Sequence, residues 1–249
     1  MLTWIAPSHK TIAHASSQFL RSLRWQSFLI AYQDEADIEE LASLLAVDSP
    51  FPGEGRPIVR ARRLPPSEPE MEPFLKYIRN TVKETNLVFH SSNISTLYNL
   101  LQLATALNMT QPPFSYFFLN PDISLLEDFL NNVYGTVQCN ISGIQLTELA
   151  LTVEGVFALA KGLWQVVSSD PSSVLPSGLL CESPDTWTHG DALNDAVRQS
   201  EQLGHLTGDV RFNGRGFRED PSLKGIARVN HKFIETIACV KAAERIESP

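Results

Sequence analysis

The sequence predicts an α/β protein built on a doubly wound parallel sheet. Short apolar runs of strand length alternate with amphipathic helical stripes, and the strand-helix pair recurs about every 30 residues, as in βαβ units. Of the 249 residues, 43% are apolar, enough to bury a sizeable core. Ser8 suits a helix N-cap, and Ile12, Ala15, Phe19, Leu20 and Leu23 follow at helical spacing. Ser27 to Tyr32 reads as a buried strand, Ala36 to Ala46 as a helix, and Asp48 to Glu54, with two prolines and a glycine, as a loop. Ile58 to Leu64 is a strand carrying Arg60, Arg62 and Arg63, and Met71, Phe74, Leu75, Ile78 and Val82 stripe the next helix.

Leu87 to Phe89 is a strand ending at His90-Ser91-Ser92, followed by a helix over Ile94 to Leu107, an aromatic strand over Phe114 to Leu119 and a helix over Ile123 to Val133. Thr136 to Leu146 is extended. A long helix is expected over Thr147 to Gln165, with Leu151, Val156, Ala158, Leu159 and Leu163 apolar. Ser168 to Ser177 reads as a surface loop. Asp191 to Leu203 is a helix with Ala192, Ala196, Val197 and Leu203 inward, and Asn213-Gly214 turns a hairpin because it tolerates the positive φ of a type I′ turn.

Composition excludes several functions. A net charge of −8 gives no basic face for nucleic acid. The longest near-apolar stretches, such as Phe28 to Tyr32 and Val156 to Ala160, fall short of the ~20 residues of a membrane helix, so no spanning segment is expected. The start, "LTWIAPSHK", lacks the basic and apolar regions of a signal peptide.

No catalytic motif is present: there is no G-x-G-x-x-G, phosphate-binding loop, G-x-S-x-G or H-E-x-x-H, and the six histidines form no helical i, i+4 pair, so no catalytic residue, metal or cofactor is expected. Asp34, Glu35, Asp37, Glu39 and Glu40 are the acids a helix dipole favours in a first turn. The arginines at 60, 62 and 63 read as an exposed strand face. The three cysteines, 139, 181 and 239, are too far apart for a C-x-x-C site, and Cys139 and Cys239 read as buried thiols. Sequons occur at Asn93, Asn108 and Asn140, of which Asn108, in a loop after a helix, is best placed for a glycan. Ser91 and Ser92 end a strand where such sheets contact ligands, and a helix start there offers N–H groups to a carboxylate; the plainer reading is a helix cap.

A phrase near the C-terminus carries a family resemblance: Cys181, Trp187, His189-Gly190, Leu206-Thr207-Gly208, Phe212-Asn213, Gly216 and Arg218. Pro7-Ser8, Trp25 and "YQDEADIEEL" precede it in matching order. The chain resembles the amino-terminal domain of kainate-like ionotropic glutamate receptors. The resemblance implies a periplasmic-binding-protein-like clamshell, with residues 3–146 and 206–230 as a near-complete second lobe, 147–205 as part of the first, and 231–249 as a tail unlike the family. It implies a fragment of a longer receptor, with Met1 an internal or truncated start and the agonist-binding domain and channel helices to follow beyond Pro249. It places the domain extracellularly at the cell membrane, acting in subunit assembly and modulation of signalling, with other receptor subunits as partners. It pairs Cys181 in a disulfide of the full-length protein and gives His189 and Trp187 a packing role. Between Leu146 and Thr152 the chain is shorter than kainate-type members. Apolar helix faces lacking their sheet are expected to lower solubility. The alternative is a metabotropic or natriuretic-peptide-like receptor clamshell holding a small molecule at its hinge.

Overall fold

The computed structural model describes residues 3, 5–7, 9–33, 41–48, 55–91, 93–120, 123–132, 137–145, 148–174, 187, 189–205, 207–219, 222–229 and 232–241. The chain forms two compact units, one of His9–Leu146 with Leu223–Ala242, the other of Met1–Ser8, Thr147–Ser222 and Ala243–Pro249.

The larger unit alternates helix and strand from its first residue: α1 (His9–Ser22), β1 (Ser27–Tyr32), α2 (Ala42–Leu45), β2 (Ile58–Arg63), α3 (Glu68–Tyr77), β3 (Asn86–His90), α4 (Ile94–Ala106), β4 (Ser115–Phe118), α5 (Glu127–Asn132) and β5 (Asn140–Gln145). β9 (Ser222–Val229) and β10 (Lys232–Lys241) return to it late in the sequence. The strands form one sheet in the order β10-β9-β5-β4-β3-β1-β2. β1 to β5 are parallel, and β9 runs antiparallel to β5. The direction of winding reverses between β1 and β3, so their carboxyl ends open a crevice at the sheet's switch point.

Uninterrupted apolar runs explain the central strands, since a parallel sheet is covered on both faces. Leu29, Ala31, Leu87, Phe89, Tyr116 and Phe118 join one buried cluster with Met71 and Leu75 of α3 and Leu97, Leu100, Leu101 and Ala104 of α4. Phe28, Ile30, Val88 and Phe117 alternate with them and are also buried, and Phe117 meets Phe19 of α1 with ring centroids 5.3 Å apart. Edge strand β2 is the polar exception. Its arginines are exposed, and Arg60 pairs with the buried Glu84 at 3.2 Å; charge on an edge strand discourages pairing with other chains.

Several helices differ from the periodic pattern. The stripe from Met71 to Val82 is an α-helix only to Tyr77; Ile78–Val82 widens into a π turn, and Lys83 ends it in the left-handed region at φ 56°. The expected helix over Ile123 to Val133 begins as a 3-10 turn, Ile123–Leu126, before α5. Residues 36–40 of the expected helix before β2, the acidic group 34–40, and nearly all of the expected loop at 48–54 lie outside the described residues. From the tail at 231–249, residues 232–241 add β10 beside β9.

The smaller unit holds α6 (Glu148–Ser169), α7 (Gly190–Gln199) and a three-stranded antiparallel sheet, β6 (Gln202–His205), β7 (Gly208–Phe212) and β8 (Arg218–Glu219). Gly162 lets α6 and α7 approach closely, because a Cβ there would lie 2.5 Å from Val197 Cγ2. α7 is shorter than its pattern: Ser200 turns back to bond the Val197 carbonyl, and Leu203 belongs to β6. Ala196 is buried as expected, whereas Ala192 is exposed. The β7–β8 hairpin forms, but by a different turn. Gly216 N–H donates to Asn213 O at 2.8 Å, Asn213 N–H to Phe217 O at 2.9 Å, and Gly216 takes the positive φ, 82°. This is a type I turn closed by a left-handed glycine.

The unit's centre is polar. Arg218 and Glu154 are both fully buried and pair at 2.8 Å. Arg218 also donates to Thr207 Oγ1 at 2.7 Å and to the carbonyls of Thr207 and Asp209 at 3.1 and 3.2 Å, while Thr207 N–H donates to Glu154 Oε1 at 2.7 Å. The family resemblance groups 206–230 with 3–146; in the structure the segment through Ser222 belongs to the unit of α6, and the chain rejoins the larger unit at Leu223. A buried guanidinium needs a counter-charge, and α6 supplies it. Along α6, Glu154 and Ala158 are buried, whereas Val156 and Leu159 of the expected apolar stripe are 63% and 47% exposed, as are Phe157 at 55% and Trp164 at 75%.

Candidate functional site

The carboxyl ends of β1, β2 and β3 gather the polar side chains of the larger unit. They bring Gln33, Arg63 and Ser91 to one edge of the sheet. Ser91 is buried. Its hydroxyl donates to Gln33 Oε1 at 2.7 Å and accepts from Asn93 N–H at 3.1 Å, and its carbonyl accepts from Asn120 Nδ2 at 3.0 Å. Asn93 then caps α4, its Oδ1 accepting from Ser95 N–H at 2.9 Å and its carbonyl from Thr96 N–H at 3.1 Å. The turn from β3 into α4 therefore satisfies its own donors at Asn93, Ser95 and Thr96. Ser92 lies outside the described residues.

Beside this turn lies a cavity of about 320 Å³, lined by Gln33, Arg63, Ser67, Glu68, Thr96 and Asn99 among others. It forms where the loop leaving β2 passes the first turns of α4. The volume falls at the small end of the ligand-pocket range. Its lining combines one cation, one carboxylate and neutral amides and hydroxyls, with Arg63 Nε donating to the Gln33 carbonyl at 3.3 Å. Arg63 and Glu68 thus put one charge of each sign on the cavity wall. The sequence placed Ser91 at this edge of the sheet. Arg63, Glu68 and Asn99 join the site through tertiary packing, and only the strand-end position of Arg63 was a local signal.

The remaining sequence candidates are dispersed. Asn93 is at the helix start beside the cavity, whereas Asn108 and Asn140 are exposed at the opposite, amino ends of β4 and β5. Trp187 and His189 meet edge-on, with centroids 6.4 Å apart, at the start of α7. Cys181 and the side chain of Cys239 lie outside the described residues. Among the described residues, no group of three or more His, Cys, Asp or Glu side chains could hold a metal. α6 contains a 20-residue segment, Ala150–Ser169, long and apolar enough to cross a membrane by length and composition, with mean hydropathy 1.3; short apolar runs alone do not reveal it.

Cys139 is buried beneath the sheet, and burial pushes its thiol from 9.0 up to about 12. The folded thiol keeps its proton where the unfolded one releases it. Above pH 9 the unfolded state binds fewer protons, so this group's stability contribution falls as pH rises from about 9 toward 12. Chemical unfolding at pH 8, 9 and 10 is expected to show that decline, and Cys139→Ser should reduce it; above pH 10 the Tyr116 phenol, also pushed up by burial, adds a decline of the same sign that the variant keeps.

The sequence profile described as the receptor family ligand binding region matches residues 2–228. Human glutamate receptor ionotropic, kainate 4 is 26% identical over 181 residues, covering 61% of this chain and 18% of the relative. Human kainate 5 is 25% identical over 262 residues, covering 92% and 25%, and rat kainate 1 is 22% identical over 248 residues, covering 86% and 25%. The chain thus spans a quarter or less of these receptors' length. With the α/β sheet and nearly its whole sequence matched, the chain belongs to the receptor ligand-binding-region family and is similar to the kainate-type ionotropic glutamate receptors.

Proposed function

We propose that this chain is part of the extracellular amino-terminal region of a kainate-type glutamate-gated channel subunit, that it acts in subunit assembly and in modulating signalling, and that it catalyses no reaction. The observation that carries this reading is the family match over 2–228, with kainate receptors among the relatives. The self-bonded turn at Ser91, Asn93 and Asn120 also supports it, since hydrogen bonds that close a strand end within the protein hold the scaffold rather than a ligand.

The cavity beside Gln33 favours a second reading, a clamshell that holds a small zwitterion through Arg63 and Glu68. One pair of measurements separates the two. In sedimentation experiments at micromolar concentrations, the chain is expected to associate with itself or with the amino-terminal domain of a kainate-type subunit. A monomer throughout would overturn the assembly role. Saturable binding of an L-α-amino acid by calorimetry, lost in Arg63→Ala, would replace it with the second reading.

A further inference from the structure

We propose that Asn108 and Asn140 form a paired N-glycosylation site at the amino ends of β4 and β5, the edge of the sheet opposite the cavity. The two sequons, Asn108-Met109-Thr110 and Asn140-Ile141-Ser142, are 32 residues apart in sequence (140 − 108) but adjacent in space. The Thr110 carbonyl accepts from Gln138 N–H at 2.8 Å and from Cys139 N–H at 2.9 Å, which stitches the first sequon to the residues before the second.

Both acceptors face water. Asn108 leaves α4 in the left-handed region at φ 55°, and its N–H closes the helix end on Thr105 O at 3.0 Å. That turn exposes its side chain while Met109 and Thr110 go into the core. Asn140 opens β5 opposite Ser115 and is exposed, while Ile141 and Ser142 behind it are buried. Neither asparagine side chain bonds to another described residue. Asn93 differs, because its amide oxygen caps α4.

The burial pattern also fixes the timing. A transferase must reach the asparagine and the hydroxyl residue together, and in the folded unit Thr110 and Ser142 are 1% and 5% exposed. Modification therefore precedes folding. The side-chain nitrogen bonds to the anomeric carbon of a polyprenyl-pyrophosphate-linked oligosaccharide, the carbon–oxygen bond to pyrophosphate breaks, and the amide loses one proton as polyprenyl pyrophosphate leaves. Two glycans at this edge bar it to partner subunits and leave the cavity open.

The inference rests on the extracellular reading above, so the test supplies entry to the secretory lumen directly. The full chain is expressed in animal cells behind a cleavable secretion leader, and leader removal, read from the new N-terminus, certifies entry independently of glycan. Peptide-N-glycosidase digestion in ¹⁸O water should then leave labelled aspartate at positions 108 and 140. Asn108→Asp and Asn140→Asp should each remove one step of electrophoretic mobility. These readouts do not require folding. Leader-cleaved protein unlabelled at either position overturns the glycan pair alone; the receptor role stands or falls separately, on the association experiment.

Discussion

Arg218→Ala is expected to destabilise the smaller unit by about 3–5 kcal/mol, because it leaves the Glu154 carboxylate buried without its counter-charge. The side chains of Glu154 and Arg218 are fully buried, and Arg218 also supports the Thr207 hydroxyl and the carbonyls of Thr207 and Asp209. Its removal orphans several groups at once. Hydrogen exchange should locate the loss in α6, β7 and β8, with the strands of the larger unit protected as before. Glu154→Leu combined with Arg218→Met removes both charges and should recover most of the loss. Equal destabilisation in the single and double variants would show that packing, not the unpaired charge, sets the cost.

Phe89→Ala is expected to cost the larger unit about 3–5 kcal/mol, the range for truncating a buried aromatic ring. Phe89 stacks on Tyr116 and Phe118 with centroids 6.0 and 5.9 Å apart, and those two rings stack on each other at 6.1 Å. All three are fully buried against α3 and α4, whose close packing leaves little freedom to collapse into the void. Because Phe89 lies two residues before Ser91, the strand-end turn should loosen as well. Urea unfolding monitored by far-ultraviolet dichroism checks the energy, and exchange of the Asn93 and Ser95 amides checks the turn. A change below about 1 kcal/mol would mean that the core refills.

The larger unit was largely legible in the sequence because burial and local pattern coincide there. β1 matches its apolar run residue for residue, and α4 ends within one residue of its stripe, since neither depends on a distant partner. The smaller unit was less legible because a long-range ion pair decides its geometry. Glu154 is an acid within an apolar helix, and nothing local marks it for burial; its partner, Arg218, lies 64 residues away. The hairpin turn failed on a finer point: Asn213-Gly214 satisfies the two-residue rule, yet Gly216 supplies the left-handed residue of a longer loop. The cavity was hidden for the same reason as the ion pair, because Arg63, Glu68 and Asn99 come together only when the β2 exit packs on α4.

The Glu154–Arg218 pair also bears on biogenesis. A chain threaded into the secretory lumen presents Ala150–Ser169 to the translocon as a segment of spanning length, before Arg218 has been synthesised. Lys161, close to its midpoint, adds about 2.5–3.5 kcal/mol to the free energy of lateral transfer into lipid, and a second charge at Glu154 opposes the same step. On the extracellular reading, the carboxylate that anchors the folded core would also count against release of this hydrophobic segment into the bilayer.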